Sequence, residues 1–153
     1  MYLTTHTSVA LVIATKMTNP LLGFVFGIVS HFVLDFIPHG EDVHLGDDHK
    51  THKQQIWKMF KCGMIDIIIA TIFLSIFLKI YQPINHWIFL ATVFGAWLPD
   101  LAWGSVEFFK LKALYWIVIL HHRVHDFLDI VYSVKYGLPF QALIILAMML
   151  FIF

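Results

Sequence analysis

The sequence predicts an all-α protein, an integral membrane bundle of about five to six helices, some of them short or lying in the interface. Three observations predict it. Of 153 residues, 59% are hydrophobic and 13% are charged, where soluble domains carry about 25% charged residues. The apolar residues form long runs such as Ile67 to Leu78, and nothing alternates like a strand hairpin. The runs are punctuated by Asn19-Pro20, Gln82-Pro83, Pro99-Asp100 and Gly137-Leu138-Pro139, the residue types that end helices. The length suits a single membrane-embedded domain over residues 1–153. Cys62 stands alone, so no internal disulfide forms. The formal net charge is +0 and no basic run invites nucleic acid. Because the first cation is Lys16, the first helix is expected to stay rather than act as a cleaved signal.

The elements follow in order. Thr4-Thr5-His6-Thr7-Ser8 supplies candidate caps for a helix reaching about Met17. A second helix is expected from Pro20, suited to a first helical position, to Ile37. Both are close to the lower limit of about 17 residues for a span, so they can form a hairpin of short helices. Residues 40–55 form a polar loop, read as solvated at the membrane surface, with a second metal cluster from His44, Asp48, His49 and His52 as the alternative. Ile56 to Ile80 is the clearest span, with Trp57 and Lys79 as interfacial anchors. Asp66 reads as a lone polar group near the headgroups, or as a partner that orients a ligand. A helix from Ile84 is expected to stop at Pro99-Asp100, and Leu101 to Lys112 to lie in the interface. Ala113 to Leu120 is apolar, and a further helical stretch ends at Gly137-Leu138-Pro139. Phe140 to Phe153 is the last apolar helix.

Against this background the chain keeps ten His. Ionisable groups in apolar helices are costly and mark function. They fall in four places: His6; His31, Asp35 and His39; Asp100; and His121-His122-Arg123-Val124-His125-Asp126. His31 and Asp35 are one turn apart and share a face. Pro38 leaves His39 just past the helix end. Asp100, after Pro99, reads equally as a helix cap. Imidazole and carboxylate together suit zinc, iron or manganese. The pattern His-x-x-x-Asp recurs as His122/Asp126 and His125/Asp129, which face different sides of one helix.

Simple geometry joins part of this set. The first two helices must run antiparallel across Asn19-Pro20, and at 1.5 Å per residue His6 lies roughly 20 Å from that turn, the level of His31 and Asp35. The last cluster needs a bend. On one straight helix from Gly104, His122 would lie about 27 Å from the level of Asp100, so a bend is expected near Lys112 or His121.

The Thr5-His6 start, the run Gly27-Ile28-Val29-Ser30-His31-x-x-x-Asp35-x-x-Pro38-His39, the run Gly95-Ala96-Trp97-Leu98-Pro99-Asp100 and the His-Arg cluster together resemble the family of small membrane-bound metal-dependent hydrolases. That family is related in pattern to the zinc-dependent phospholipase C group, whose fold is all-α. The resemblance covers the motif segments from His6 to Asp126. It implies two or three zinc ions and a phosphoester substrate. It also implies His6, His31, Asp35, His39 and Asp100 as ligands, with His122 and His125 completing the cluster. The chain departs from the family pattern where His125 follows His122 by three and Asp126 takes a Ser place.

The expected function is therefore a membrane-bound, metal-dependent phosphoester hydrolase acting on a phospholipid or lipid-linked phosphate in a prokaryotic cytoplasmic membrane. Metal brings the pKa of a bound water to about 7. Asp35 or Asp126 serves as the base if not a ligand, and Arg123 grips a phosphate oxygen. The competing reading is a non-catalytic metal- or haem-binding membrane protein; haem needs paired His but no carboxylates. A metal transporter would place its ligands at mid-membrane rather than at helix ends.

Overall fold

The computed structural model describes residues 1–38, 52–125, 127 and 134–153. Among the described residues there are six α-helices and no strand: α1 Leu3–Ala14, α2 Pro20–Asp35, α3 His52–Tyr81, α4 His86–Phe109, α5 Tyr115–His125 and α6 Val134–Ile152. A single 3₁₀ turn, Lys112–Leu114, precedes α5.

The short helix α1 is the axis and packs against α2, α3, α4 and α6. Thr5, His6, Thr7, Ser8, Ala10 and Leu11 are all buried, and their small neighbours let other helices approach closely. With little water nearby, hydroxyls must bond internally. Thr7 Oγ1 donates to the Leu3 carbonyl and Ser8 Oγ to the Thr5 carbonyl, each at 2.7 Å. Trp97 Nε1 on α4 donates to Thr7 Oγ1 at 2.8 Å.

The start of α1 differs from the sequence expectation. No local side chain caps it. Asp66 of α3 instead accepts from the N–H of Leu3, from the N–H of Thr4 at 3.3 Å and from Thr4 Oγ1 at 2.7 Å. Gln141 of α6 accepts from the Tyr2 N–H at 2.8 Å and from Thr5 Oγ1 at 3.0 Å. Asp66 is therefore a buried cap rather than a headgroup-facing carboxylate, and it meets the positive end of α1 at the Leu3 and Thr4 amides, which precede the first intrahelical bonds.

Asn19 and Pro20 begin α2 as expected: Asn19 Oδ1 accepts from the Leu22 N–H at 2.9 Å. The helix then lies very close to α4. A Cβ built on Gly23 would overlap Thr92 Oγ1, one on Gly27 would overlap the Thr92 carbonyl oxygen, and one on Gly95 would overlap the Phe24 carbonyl oxygen. Small residues four apart are how helices in lipid bring backbones together.

Two expected breaks are absent. α4 continues through Pro99 and Asp100 to Phe109, so Leu101 onward is its last part rather than a separate interfacial helix. Pro99 removes one N–H, but packing on both sides holds the helix together. α6 likewise runs through Gly137-Leu138-Pro139. The bend anticipated near Lys112 is present. Lys110 adopts a left-handed conformation, φ 56°, and ends α4 before the 3₁₀ turn reverses the chain into α5.

An apolar core of Ala10, Leu11, Ala14, Phe77, Phe89 and Val93 fills the end of the bundle away from the polar cluster. Outside, the apolar character is turned outward. Leu21, Val25 and Val29 on α2, Ile68, Ile72 and Ile76 on α3, and Leu146 and Leu150 on α6 are exposed. Three helices are long and apolar enough to cross a membrane, Ile56–Tyr81, His86–Phe109 and Lys135–Ile152, while α1 and α2 are shorter apolar helices.

Candidate metal centre

Four side chains from three helices converge: His31 and Asp35 from the end of α2, Asp100 from α4 and His121 from α5. One ligand atom from each lies within 4.8 Å of all the others, and the group could hold a metal ion. Helix periodicity explains the α2 pair, one turn apart. The Gly23 and Gly27 contacts explain why α4 comes near enough to present Asp100. The chain reversal at Lys110 explains His121, because α5 retraces the distance that α4 covers beyond Asp100.

Asp35 is at the centre. Its Oδ2 lies 3.0 Å from His31 Nε2 and 3.1 Å from His121 Nε2. Its Oδ1 lies 3.2 Å from His6 Nε2 and 2.8 Å from the α-amino group of Met1. Asp100 Oδ1 stands 3.3 Å from His121 Nε2 and 3.8 Å from His31 Nε2. The His6 ring stacks on that of His31, with centroids 4.2 Å apart and planes 16° from parallel. The antiparallel hairpin thus sets His6 at the level of His31 and Asp35, as the residue count anticipates.

One contact shows what the cluster is suited to hold. His31 Nδ1 donates to the Ala96 carbonyl at 2.7 Å. In the neutral ring this leaves a lone pair on Nε2, which is buried with no hydrogen-bond partner and faces the Asp35 carboxylate. Two acceptors at 3.0 Å repel each other unless a second proton or a cation lies between them. A metal-binding His is oriented in this way, its other nitrogen tied to a backbone carbonyl. His121 differs, because its Nε2 is hydrogen-bonded to Asp35 Oδ2 at 3.1 Å. Burial alone would lower its pKa, but hydrogen bonds to Asp100 and Asp35 outweigh burial and lift it to about 9.

The remaining expected site residues are distributed as follows. His6 touches Asp35 but lies beside the four-residue group rather than in it. His122 is exposed and faces a neighbouring cavity; its neighbour His121 takes the place in the cluster. Arg123 is exposed. His39, Asp126 and the side chain of His125 lie outside the described residues, as does most of the polar loop. Asp100 is inside α4 rather than capping it. The cluster is accordingly not at the tips of the long helices: nine residues of α4 follow Asp100, about 14 Å at the helical rise.

The cavity has a volume of about 440 Å³ and lies between α3, α4 and α5. Asp100 and His121 form part of its wall, and most of the rest is apolar.

Comparison with known proteins adds no relative: no family model, no curated protein and no solved structure matches the chain.

Proposed function

We propose that the protein is a membrane-embedded, metal-dependent hydrolase of a phosphoester, acting on a phospholipid or lipid-linked phosphate. The observation that carries this reading is the convergence of His31, Asp35, Asp100 and His121 beside an apolar cavity. These four would hold zinc, with manganese or iron as other occupants of such a donor set. His6, against the far oxygen of Asp35, extends the donor set toward the two or three ions that the family resemblance implies.

Bound metal supplies water acidic enough to yield hydroxide near pH 7. The chain's own residues do the rest. Ala96 fixes the tautomer and direction of the His31 ring. Asp35, with one oxygen toward His31 and His121 and the other toward His6, would as a ligand also orient the His6 ring. Arg123, the residue expected to grip a phosphate oxygen, is exposed two positions beyond His121, on the opposite face of α5 and away from the cluster. The cavity favours hydrolysis over passive metal binding, because a storage or structural site needs no apolar chamber along its wall.

The test is elemental analysis of the purified protein, followed by assay of lipid phosphomonoester and phosphodiester hydrolysis. Bound zinc, manganese or iron with activity that a chelator removes supports the reading. A Soret absorbance band, or no hydrolysis by metal-loaded protein, overturns it.

A further inference from the structure

We propose that the cavity beside the cluster is a slot for a single hydrocarbon chain, and that the ligand is a single-chain amphiphile with its anionic head at Asp100 and His121. The placement of the head rests on the metal-dependent reading, since an anion beside two carboxylates is repelled without a cation; the placement of the chain does not.

Four observations carry the chain. The walls are apolar, with Phe60, Ile67, Leu101, Trp103 and Phe108 among them. Asp100 and His121 put a polar patch on one wall. The cavity lies between α3 and α4, two helices of membrane-spanning length that meet beside it through side chains, the rings of Trp57 and Phe60 against Phe108, so only side chains stand between the cavity and the outside of the bundle there. Finally, both helices carry a glycine on the cavity wall. A Cβ built on Gly63 or on Gly104 meets nothing within 4 Å. This is the reverse of Gly23, Gly27 and Gly95, where the missing side chain lets helices touch. At Gly63 and Gly104 it leaves space.

The volume sets the number of chains. If a methylene takes about the share of a water molecule, about 30 Å³, then about 440 Å³ holds roughly fifteen of them. That is one long chain and not two.

The experiment uses full-length, zinc-loaded protein in phosphatidylcholine nanodiscs. The probes are octylphosphonate and hexadecylphosphonate, the latter also brominated at mid-chain. Trp103 fluorescence, isolated by difference from Trp103→Phe, reports entry. The brominated probe should quench Trp103, and hexadecylphosphonate should bind more tightly than octylphosphonate. Gly63→Leu and Gly104→Leu should each weaken hexadecylphosphonate binding about tenfold or more with metal content unchanged; leucine favours helix over glycine, so neither change opposes the fold. Unchanged binding in both variants overturns the slot. So does loss of metal in both, which would make the glycines packing residues, or equal quenching by a brominated two-chain phosphatidate. Hydrolysis of long-chain substrates unaffected by both variants would sink the slot and leave the hydrolase standing. Gly-dependent chain binding without metal-dependent hydrolysis would do the opposite.

Discussion

Alanine at Gly27 should cost the protein both stability and metal, whereas alanine at Gly104 should cost neither. In a helix interior the bare exchange of glycine for alanine favours the fold by up to about 1 kcal/mol. At Gly104 that gain is realised in full, because the new methyl meets open space. At Gly27 the methyl would overlap the Thr92 carbonyl oxygen and crowd the Ala96 N–H. Both are backbone atoms of a packed helix and cannot rotate away, so α2 and α4 must separate. Overpacking of this kind costs about 1–3 kcal/mol, and against a rigid wall the upper part of that range applies. The net change at Gly27 is then about 1–2 kcal/mol of destabilisation, opposite in sign to Gly104. The separation also acts one turn further on, where His31 holds the Ala96 carbonyl and faces Asp100. Metal affinity should fall by about tenfold or more, the scale seen when a partner that orients a metal-binding His is lost. Unfolding in mixed detergent micelles gives the first quantity and competition with a zinc chelator gives the second. A Gly27→Ala protein as stable and as tightly loaded as the parent would refute the idea that close approach of α2 and α4 builds the cluster.

Three further outcomes are expected. Asp35→Ala and His31→Ala should each strip metal and abolish hydrolysis while the protein still inserts into membranes; unchanged metal content in both would remove them as ligands. His121→Ala should lose metal and His122→Ala should keep it, so equal loss in the two variants would contradict the face assigned to α5. Loading the apoprotein at about pH 7.5 should release about one proton per ion from His121, measurable in weakly buffered dye. Burial opposes a raised pKa there, but the two carboxylates hold it to about 9. Release should therefore shrink above pH 9, and the metal-free protein should lose stability as pH rises from about 6.5 through 9.

The outline of the bundle and three of the four residues of its cluster, His31, Asp35 and Asp100, were legible in the sequence, for reasons that differ by residue. Asn19-Pro20 fixes a hairpin, and counting along its arms sets His6 beside His31 and Asp35. The His31 to Asp35 spacing needs only helix periodicity. Pro99 misleads because the rule that proline ends a helix assumes water on the unbonded carbonyl, whereas a buried helix stays intact through packing; Pro139 is exposed, and packing does not explain it. The choice of His121 over His122 had a faint signal. Ile117, Val118, His121 and Val124 form the inner face of α5, at spacings of three and four. Trp116, Ile119 and Leu120 are just as apolar on the outer face, so hydrophobic periodicity does not separate inside from outside when lipid can be the neighbour. The cap of α1 by Asp66 and Gln141 was illegible, since it joins residues more than sixty positions apart.

The depth of the cluster follows from the mismatch in helix length. The helices α1 and α2 have 12 and 16 residues, whereas α3 and α4 have 30 and 24. Short helices aligned with long ones at the apolar core must end below them at the other side, and the polar ends of α1 and α2 are where His6, His31 and Asp35 sit. The upper parts of α3 and α4 then stand around a space that begins where α1 starts, with Met1, Tyr2 and Leu3 on its wall, and the cavity occupies it. A site made this way is walled by apolar residues yet floored by carboxylates and imidazoles. Charges in such a place require compensation from within, since water cannot supply it cheaply. A bound cation would add to the compensation that His121 and the Met1 α-amino group give Asp35, and the helix lengths set the four-residue group beside the apolar cavity.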